Sequence, residues 1–274
     1  MNRLVLSITA NILLFLSVTA QGQTQKKYNW GIYVGGGLSA IQYNPEEATY
    51  KTGLGGKLGI SWSYFFKPQW ALNTGLEWGV YQSKAQSDFI SGSESGVDPL
   101  YPDNNYRMDY SYQSFEEKQK LYMLNIPIML EYWFSPKFYA AAGGKLGIPV
   151  SGQYEIFTGN ITTTGFFSHE GRTYSGADYG FKSSDNKYIR QDLDLDIAYI
   201  LSAEFGIKWK VFTKTNLLTS IYFDYGLNNM QNSTAGTLVS YQPESSDYLK
   251  FNSITATGNK VNIVATGVKI CMSF

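Results

Sequence analysis

The chain has 274 residues, with 22 Lys plus Arg against 22 Asp plus Glu, so it carries no net charge, and nucleic acid is not an expected partner. A single cysteine, Cys271, excludes an internal disulfide framework, and with one histidine, His169, it cannot assemble a usual zinc ligand set. Aromatic residues make up 16% and charged residues only 16%, beside 27 glycines, a balance that suits a membrane barrel with aromatic girdles better than a soluble all-β domain.

The first 22 residues have the parts of a secretory signal: Arg3, the uncharged apolar run "LVLSITANILLFLSVTA", and small residues before a polar stretch. Cleavage after Ala20 or Gly22 is expected, leaving residues 23–274 as one barrel domain in the outer membrane of a Gram-negative bacterium. The run from Leu4 to Ala20 is short for a membrane-spanning helix.

After the signal, a period of 2 recurs in segments longer than ordinary soluble strands. From Tyr28 to Tyr43, Trp30, Ile32, Val34, Leu38 and Ala40 share one face, opposite Asn29 and a set of glycines. From Leu54 to Phe66 the apolar face holds Leu58, Ile60, Trp62 and Tyr64, and the other holds Lys57, Ser61 and Ser63. A "KPQ" turn at Lys67 to Gln69 leads into a third strand with Trp70, Leu72, Leu76 and Trp78 against Asn73 and Glu77. Alternation then gives way to a polar stretch from Ser83 to Lys120, read as a loop.

The fourth strand is "LYMLNIPIMLEYWF". Pro127 lacks a ladder donor, so a local bulge is expected there. An "SPK" turn opens the fifth strand, Phe138 to Ser151, which a second polar excursion follows to Gln191. The sixth, Leu193 to Trp209, sets Leu195, Ile197, Tyr199, Leu201 and Phe205 toward lipid and Asp194, Asp196, Ser202, Glu204 and Lys208 inward. A seventh runs from Thr215 to Leu227. The eighth follows a third polar excursion, Asn228 to Asn259, and ends in "VKICMSF".

Short turns alternate with mostly long loops, as in outer-membrane barrels. The inner faces are too rich in glycine and charge for the dry core of a sandwich, so the apolar faces must meet lipid, where an open sheet edge cannot persist. The expected fold is therefore all-β: a closed antiparallel eight-stranded transmembrane β-barrel, with ten strands as the alternative if part of the 153–191 excursion adds a hairpin. Trp30, Phe66, Trp70, Phe134, Phe138, Trp209 and Phe274 all fall at the short-turn ends, as one aromatic girdle requires. Trp78, Tyr122, Tyr199 and Tyr225 lie about 8 to 12 residues further along and form the second.

With the signal, "LNIPIMLEYWF" at Leu124 to Phe134, "DYGLNNM" at Asp224 to Met230 and the terminal Phe274, the chain resembles the PorT-like small outer-membrane β-barrel proteins of Bacteroidota. The resemblance spans residues 28–274 as a pattern. It implies that the terminal aromatic is read by the barrel-assembly machinery, and it transfers no functional residue.

Lys57, Glu77, Glu131, Lys145, Glu204, Lys208, Asp224 and Lys269 fall on inner faces, with balanced sign. Eight strands leave an interior that side chains fill, so these groups are expected to pair across the lumen and to plug it, and not to line a pore. Centring the pairing on Pro68 makes Lys57 and Glu77 diagonal neighbours, which predicts an ion pair. Asp192, Asp194 and Asp196 share a strand face, about 7 Å apart in turn, and read as an acidic lumen rim and not a calcium site. Ser168, His169 and Glu170 in "FSHEG" could be written as a catalytic cluster, but adjacent loop residues rarely converge on one atom. No catalytic, cofactor or metal site is expected. The function expected is a structural or binding barrel working through its long loops or a membrane or periplasmic partner, with a small passive pore as the alternative. The loop ligand stays unnamed.

Overall fold

The computed structural model describes residues 27–43, 48–98, 101–176, 178, 181, 183–211, 215–232, 236–241, 249–257 and 260–274. The signal expected at 1–22 and the turn near Phe212 lie outside them. The strands are β1 (Tyr28–Gln42), β2 (Thr49–Lys67), β3 (Trp70–Val97), β4 (Asn105–Trp133), β5 (Phe138–Phe167), β6 (Arg172–Ser175), β7 (Ser183–Asp192), β8 (Ala198–Lys210), β9 (Asn216–Gly226), β10 (Val239–Tyr241), β11 (Leu249–Phe251) and β12 (Asn262–Ser273).

Eight of them form a closed antiparallel ring in the order β1, β2, β3, β4, β5, β8, β9, β12 and back to β1. The seam runs from Gly31 opposite Ser273 to Gln42 opposite Asn262, and the Phe274 N–H donates to the Trp30 carbonyl at 2.8 Å. Such a narrow ring brings neighbouring backbones close on its inner side. A Cβ at Gly37 would lie 2.1 Å from the Thr266 carbonyl oxygen, and one at Gly143 would lie 2.1 Å from that of Ile128, so only glycine fits at either position.

Between the girdles the outer face is apolar. Ile32, Leu58, Leu76, Ile128, Leu201, Ile221 and Val268 are all exposed there, and the lower girdle residues Trp30, Phe66, Phe134, Phe138, Trp209 and Phe274 point outward with them, while Trp70 is half-buried. Trp70 and Tyr132 pack across strands as a tilted pair with ring centres 4.7 Å apart, as do Trp78 and Tyr122 of the upper girdle at 6.1 Å. Below the lumen, Phe65, Ala71, Trp133 and Tyr139 close the short-turn end with a small apolar cluster.

Three of the ring strands are much longer than the rest. β3, β4 and β5 have 28, 29 and 30 residues, against 11 to 15 in β1, β8, β9 and β12, and their pairing continues up to Val97 opposite Asn105 and Tyr106 opposite Phe167. The polar stretches from Ser83 to Lys120 and from Gln153 to Gln191 are thus corrected from loops to a tall strand wall, to which β7 and β6 add on the β5 side. Those two strands lie beside the extension, so the ring itself stays at eight.

This wall, the head, inverts the rule of the membrane part. Tyr106, Met108, Tyr110, Tyr112, Ile156 and Ile161 now point inward, while Arg107, Lys118 and Lys120 point out, because water and not lipid surrounds the outer face. The inward parity changes from odd to even in β3 at Asp88, from even to odd in β4 at Ser114 (φ 53°), and from even to odd in β5 near Gly159. These three positions are level with one another. Register is the same on both sides, since opposing strands switch face together.

Pro127 causes no bulge. The β3–β4 register carries straight past it, it lies opposite Lys145 of β5, and its carbonyl accepts from the Thr74 hydroxyl at 2.8 Å. The register shift between β4 and β5 falls instead at Tyr122 and Met123, opposite Ser151 and Pro149, where Val150 of β5 is the extra residue.

Candidate functional site

Lys57 of β2, Glu77 of β3, Lys145 of β5 and Asp224 of β9 all sit at inward positions flanked by outward apolar residues, and ring closure brings their heads together at mid-lumen. Lys145 Nζ lies 3.0 Å from both Glu77 Oε1 and Asp224 Oδ2. Lys57 Nζ lies 3.2 Å from Asp224 Oδ2 and 3.7 Å from Glu77 Oε2, and 3.1 Å from the centre of the Tyr222 ring. Two cations and two carboxylates thus neutralise one another in a site where every member is buried.

Neutral groups occupy the remaining lone pairs. Tyr33 Oη and Asn125 Nδ2 each donate to Glu77 at 3.0 Å, and Ser202 Oγ donates to Asp224 at 2.5 Å. A buried ion pair needs such support to offset its desolvation. Toward the short-turn end, Lys269 pairs with Glu204, which also accepts from Tyr139 Oη at 2.5 Å.

Six of the eight inner charges singled out in the sequence therefore meet in ion pairs, including Lys57 with Glu77, and two do not. Glu131 accepts from Ser63 Oγ and Trp133 Nε1, both at 3.4 Å, and Lys208 lies 4.8 Å over the Trp133 ring. Glu131 thus meets the indole edge and Lys208 the ring face of Trp133, in the apolar cluster at the base. Tyr33, Asn125 and Tyr139 were not singled out although inward parity marks all three, and Ser202, read as inward, proves to serve Asp224.

The space left among these side chains is small. Around the quartet it amounts to about 20 Å³, and beside Asp224 and Tyr222 to about 10 Å³, room for a water molecule at most in each. The upper mouth is filled as well, because the last long excursion folds inward: Leu238, Val239, Leu249, Phe251 and Ile254 join the apolar core of the head.

Glu117 holds that segment in place. It lies above the upper girdle residue Tyr122, fully buried, and accepts from the Ser253 hydroxyl, from Ile254 N–H at 2.8 Å and from Gln119 Nε2 at 2.7 Å. Burial pushes its carboxyl up to about 7, against these three donors, which pull it down. An unfolded glutamate titrates near about 4.3, so between there and about 7 the folded chain keeps a proton that the unfolded chain has lost, and stability falls as pH rises through that window. Glu117→Gln should remove this component. Urea midpoints at pH 5 and pH 8 check it: the variant should gain on the parent protein at pH 8, and a difference that does not change with pH would contradict the assignment.

Two sequence clusters come apart. Ser168 Oγ is engaged by the Asn105 backbone, donating to its carbonyl at 2.8 Å and accepting its N–H at 2.9 Å, and His169 stacks on Tyr101 at 4.0 Å with Nε2 3.3 Å from Glu170. The group pins hairpin tips together and offers no hydroxyl–imidazole pair. The acidic rim is a correction too, since β8 starts at Ala198 and not at Leu193. Leu193 and Leu195 are buried, Asp192, Asp194 and Asp196 face outward, and the phase resets at Asp196 and Ile197, both exposed. Among the described residues no cluster of His, Cys, Asp and Glu could hold a metal ion.

An outward apolar belt, a filled polar lumen and short turns at one end describe a barrel built for a bilayer, and the model of the outer membrane protein beta-barrel domain family matches residues 19–232. The chain belongs to that family. It is an integral outer-membrane β-barrel, with β12 beyond the matched region closing its ring. Among solved structures it is similar to Ail, the attachment invasion locus protein of Yersinia pestis, in complex with the heparin analogue sucrose octasulfate, at 9% identity and a TM-score of 0.35, covering 91% of this chain and 100% of that one. It is also similar to Neisserial surface protein A, at 8% identity and a TM-score of 0.31, covering 90% of this chain and 94% of that one. A third is the translocator domain of the autotransporter NalP from Neisseria meningitidis, at 8% identity and 0.25, covering 98% and 95%. No curated protein matches the chain.

Proposed function

We propose that this barrel is a non-conducting, non-enzymatic membrane scaffold that presents its head outside the cell for binding. The filled lumen carries this reading: six ion-paired side chains and about 20 Å³ of free space leave no continuous path for a hydrated ion. Purified protein in planar bilayers should therefore give no steady single-channel conductance. Regular unitary steps would return the passive pore.

In this reading the leader at 1–22 directs the chain to export, the head faces outward because longer connections lie on the extracellular side, and the turns after Lys67 and Trp133 face the periplasm. The motifs around Pro127 and Asp224 support a place among the PorT-like barrels of Bacteroidota. Phe274 then serves both as a girdle residue and as the signal read by the assembly machinery. Deleting it should leave refolding in detergent intact while the amount inserted in cells falls, and an equal loss in both would remove the signalling role.

A further inference from the structure

Above Gln86, which pairs with Thr49, β3 has no strand neighbour on its β2 side among the described residues, so from residue 89 to residue 97 it pairs with β4 alone. Alternate residues of that stretch turn N–H and C=O groups away from the sheet. Proteins usually guard such an edge with lysine, proline or a bulge. The stretch reads FISGSESGV and has none of these, and its one charge, Glu94, points inward and accepts the Tyr241 N–H at 2.7 Å.

A half-enclosed groove of about 240 Å³ runs along this edge, between residues 90–93 on one side and residues 236–238 on the other, with Ile254 and Thr257 at its end. Both inward and outward residues of β3 line it, which places it at the strand's rim and not on either face. The far wall hangs from Tyr110, whose hydroxyl accepts the Leu238 N–H at 3.2 Å, and Gly92 makes room for it, since a Cβ there would sit 2.4 Å from that hydroxyl. No charged side chain lines the groove among the described residues. Thr237 Oγ1, buried in the far wall, has no hydrogen-bond partner among the described residues.

We propose that this groove binds an extended, uncharged polypeptide segment, which adds to the β3 edge as a further strand. Edge N–H and C=O groups supply the main-chain hydrogen bonds, and the far wall selects the side chain. The volume equals roughly eight waters at about 30 Å³ each, enough for the centre of one strand and too little for the edge of a whole second sheet. A charge at the centre is rejected, because no described residue of the lining would pair with it.

The inference rests on the head being a binding platform, and two measurements separate the two claims. Conductance would sink the platform reading, whereas a silent barrel that ignores the probe sinks only the groove. The probe is a capped, fluorescein-labelled heptapeptide of alternating threonine and valine with serine at its centre, added to full-length protein refolded in detergent micelles. Anisotropy should rise saturably, and alternate amides within residues 89–97 should pass from fast to slow hydrogen exchange. Glutamate at the peptide's centre should weaken binding roughly tenfold or more. Edge amides already protected without peptide, no saturable binding at millimolar peptide, or equal binding of the neutral and charged peptides would each overturn the proposal.

Discussion

Lys145→Ala should destabilise the barrel by about 3 to 5 kcal/mol, because it removes the cation that lies 3.0 Å from both buried carboxylates and leaves them to share Lys57. Breaking one partner of a buried network costs more than the network itself contributes, since the remaining charge stays desolvated. Adding Glu77→Gln to Lys145→Ala should therefore recover part of the loss, as one cation then faces one anion. Urea midpoints of protein refolded into lipid vesicles measure both variants. A change below about 1 kcal/mol for Lys145→Ala would mean that water reaches the quartet and screens it.

Val268→Arg should cost about 2 to 4 kcal/mol, through lipid and not through the lumen. Val268 is exposed on the outer face, flanked by Gly36 and Ile221 on neighbouring strands, midway between the girdle positions Tyr225 and Phe274. Ile270→Arg lies nearer the lower girdle and should cost less. Ser273 is on the inward parity at the barrel's base, and Ser273→Ala should be nearly neutral. Heat-modifiable mobility on a gel reads the series. Equal tolerance at Val268 and Ser273 would show that β12 does not face lipid as the ring requires.

The membrane half was legible because its two environments differ so sharply. Lipid favours apolar side chains at outward positions, as at Leu58, Leu76 and Val268, so strand parity shows up directly in the amino-acid pattern. That parity also assigned Lys57, Glu77, Lys145 and Asp224 to the lumen. The hairpin at Pro68 also gave the Lys57–Glu77 contact, but the contacts of Lys145 and Asp224 were less accessible, since β5 and β9 reach β2 and β3 only through ring closure, which no local pattern encodes. The head escaped for a different reason. Its outer solvent is water, so tyrosines and serines alternate where leucines would in the membrane, and the face changes at Asp88, Ser114 and Gly159 break the count of two just where it would be tested. A similar phase reset at Asp196 and Ile197 turned "DLDLDI" inside out.

The unequal strands give the molecule a front and a back. Three of its eight ring strands, β3 to β5, stand well clear of the bilayer, while β8, β9, β12 and β1 end near the upper girdle, so the upper rim slopes steeply from one flank to the other. In a crowded membrane a bulky neighbour can come into side-by-side contact only along the low flank. The tall flank keeps such neighbours at a distance, so packing density would set which compass direction each head faces, and with it whether the open edge of β3 looks toward free space.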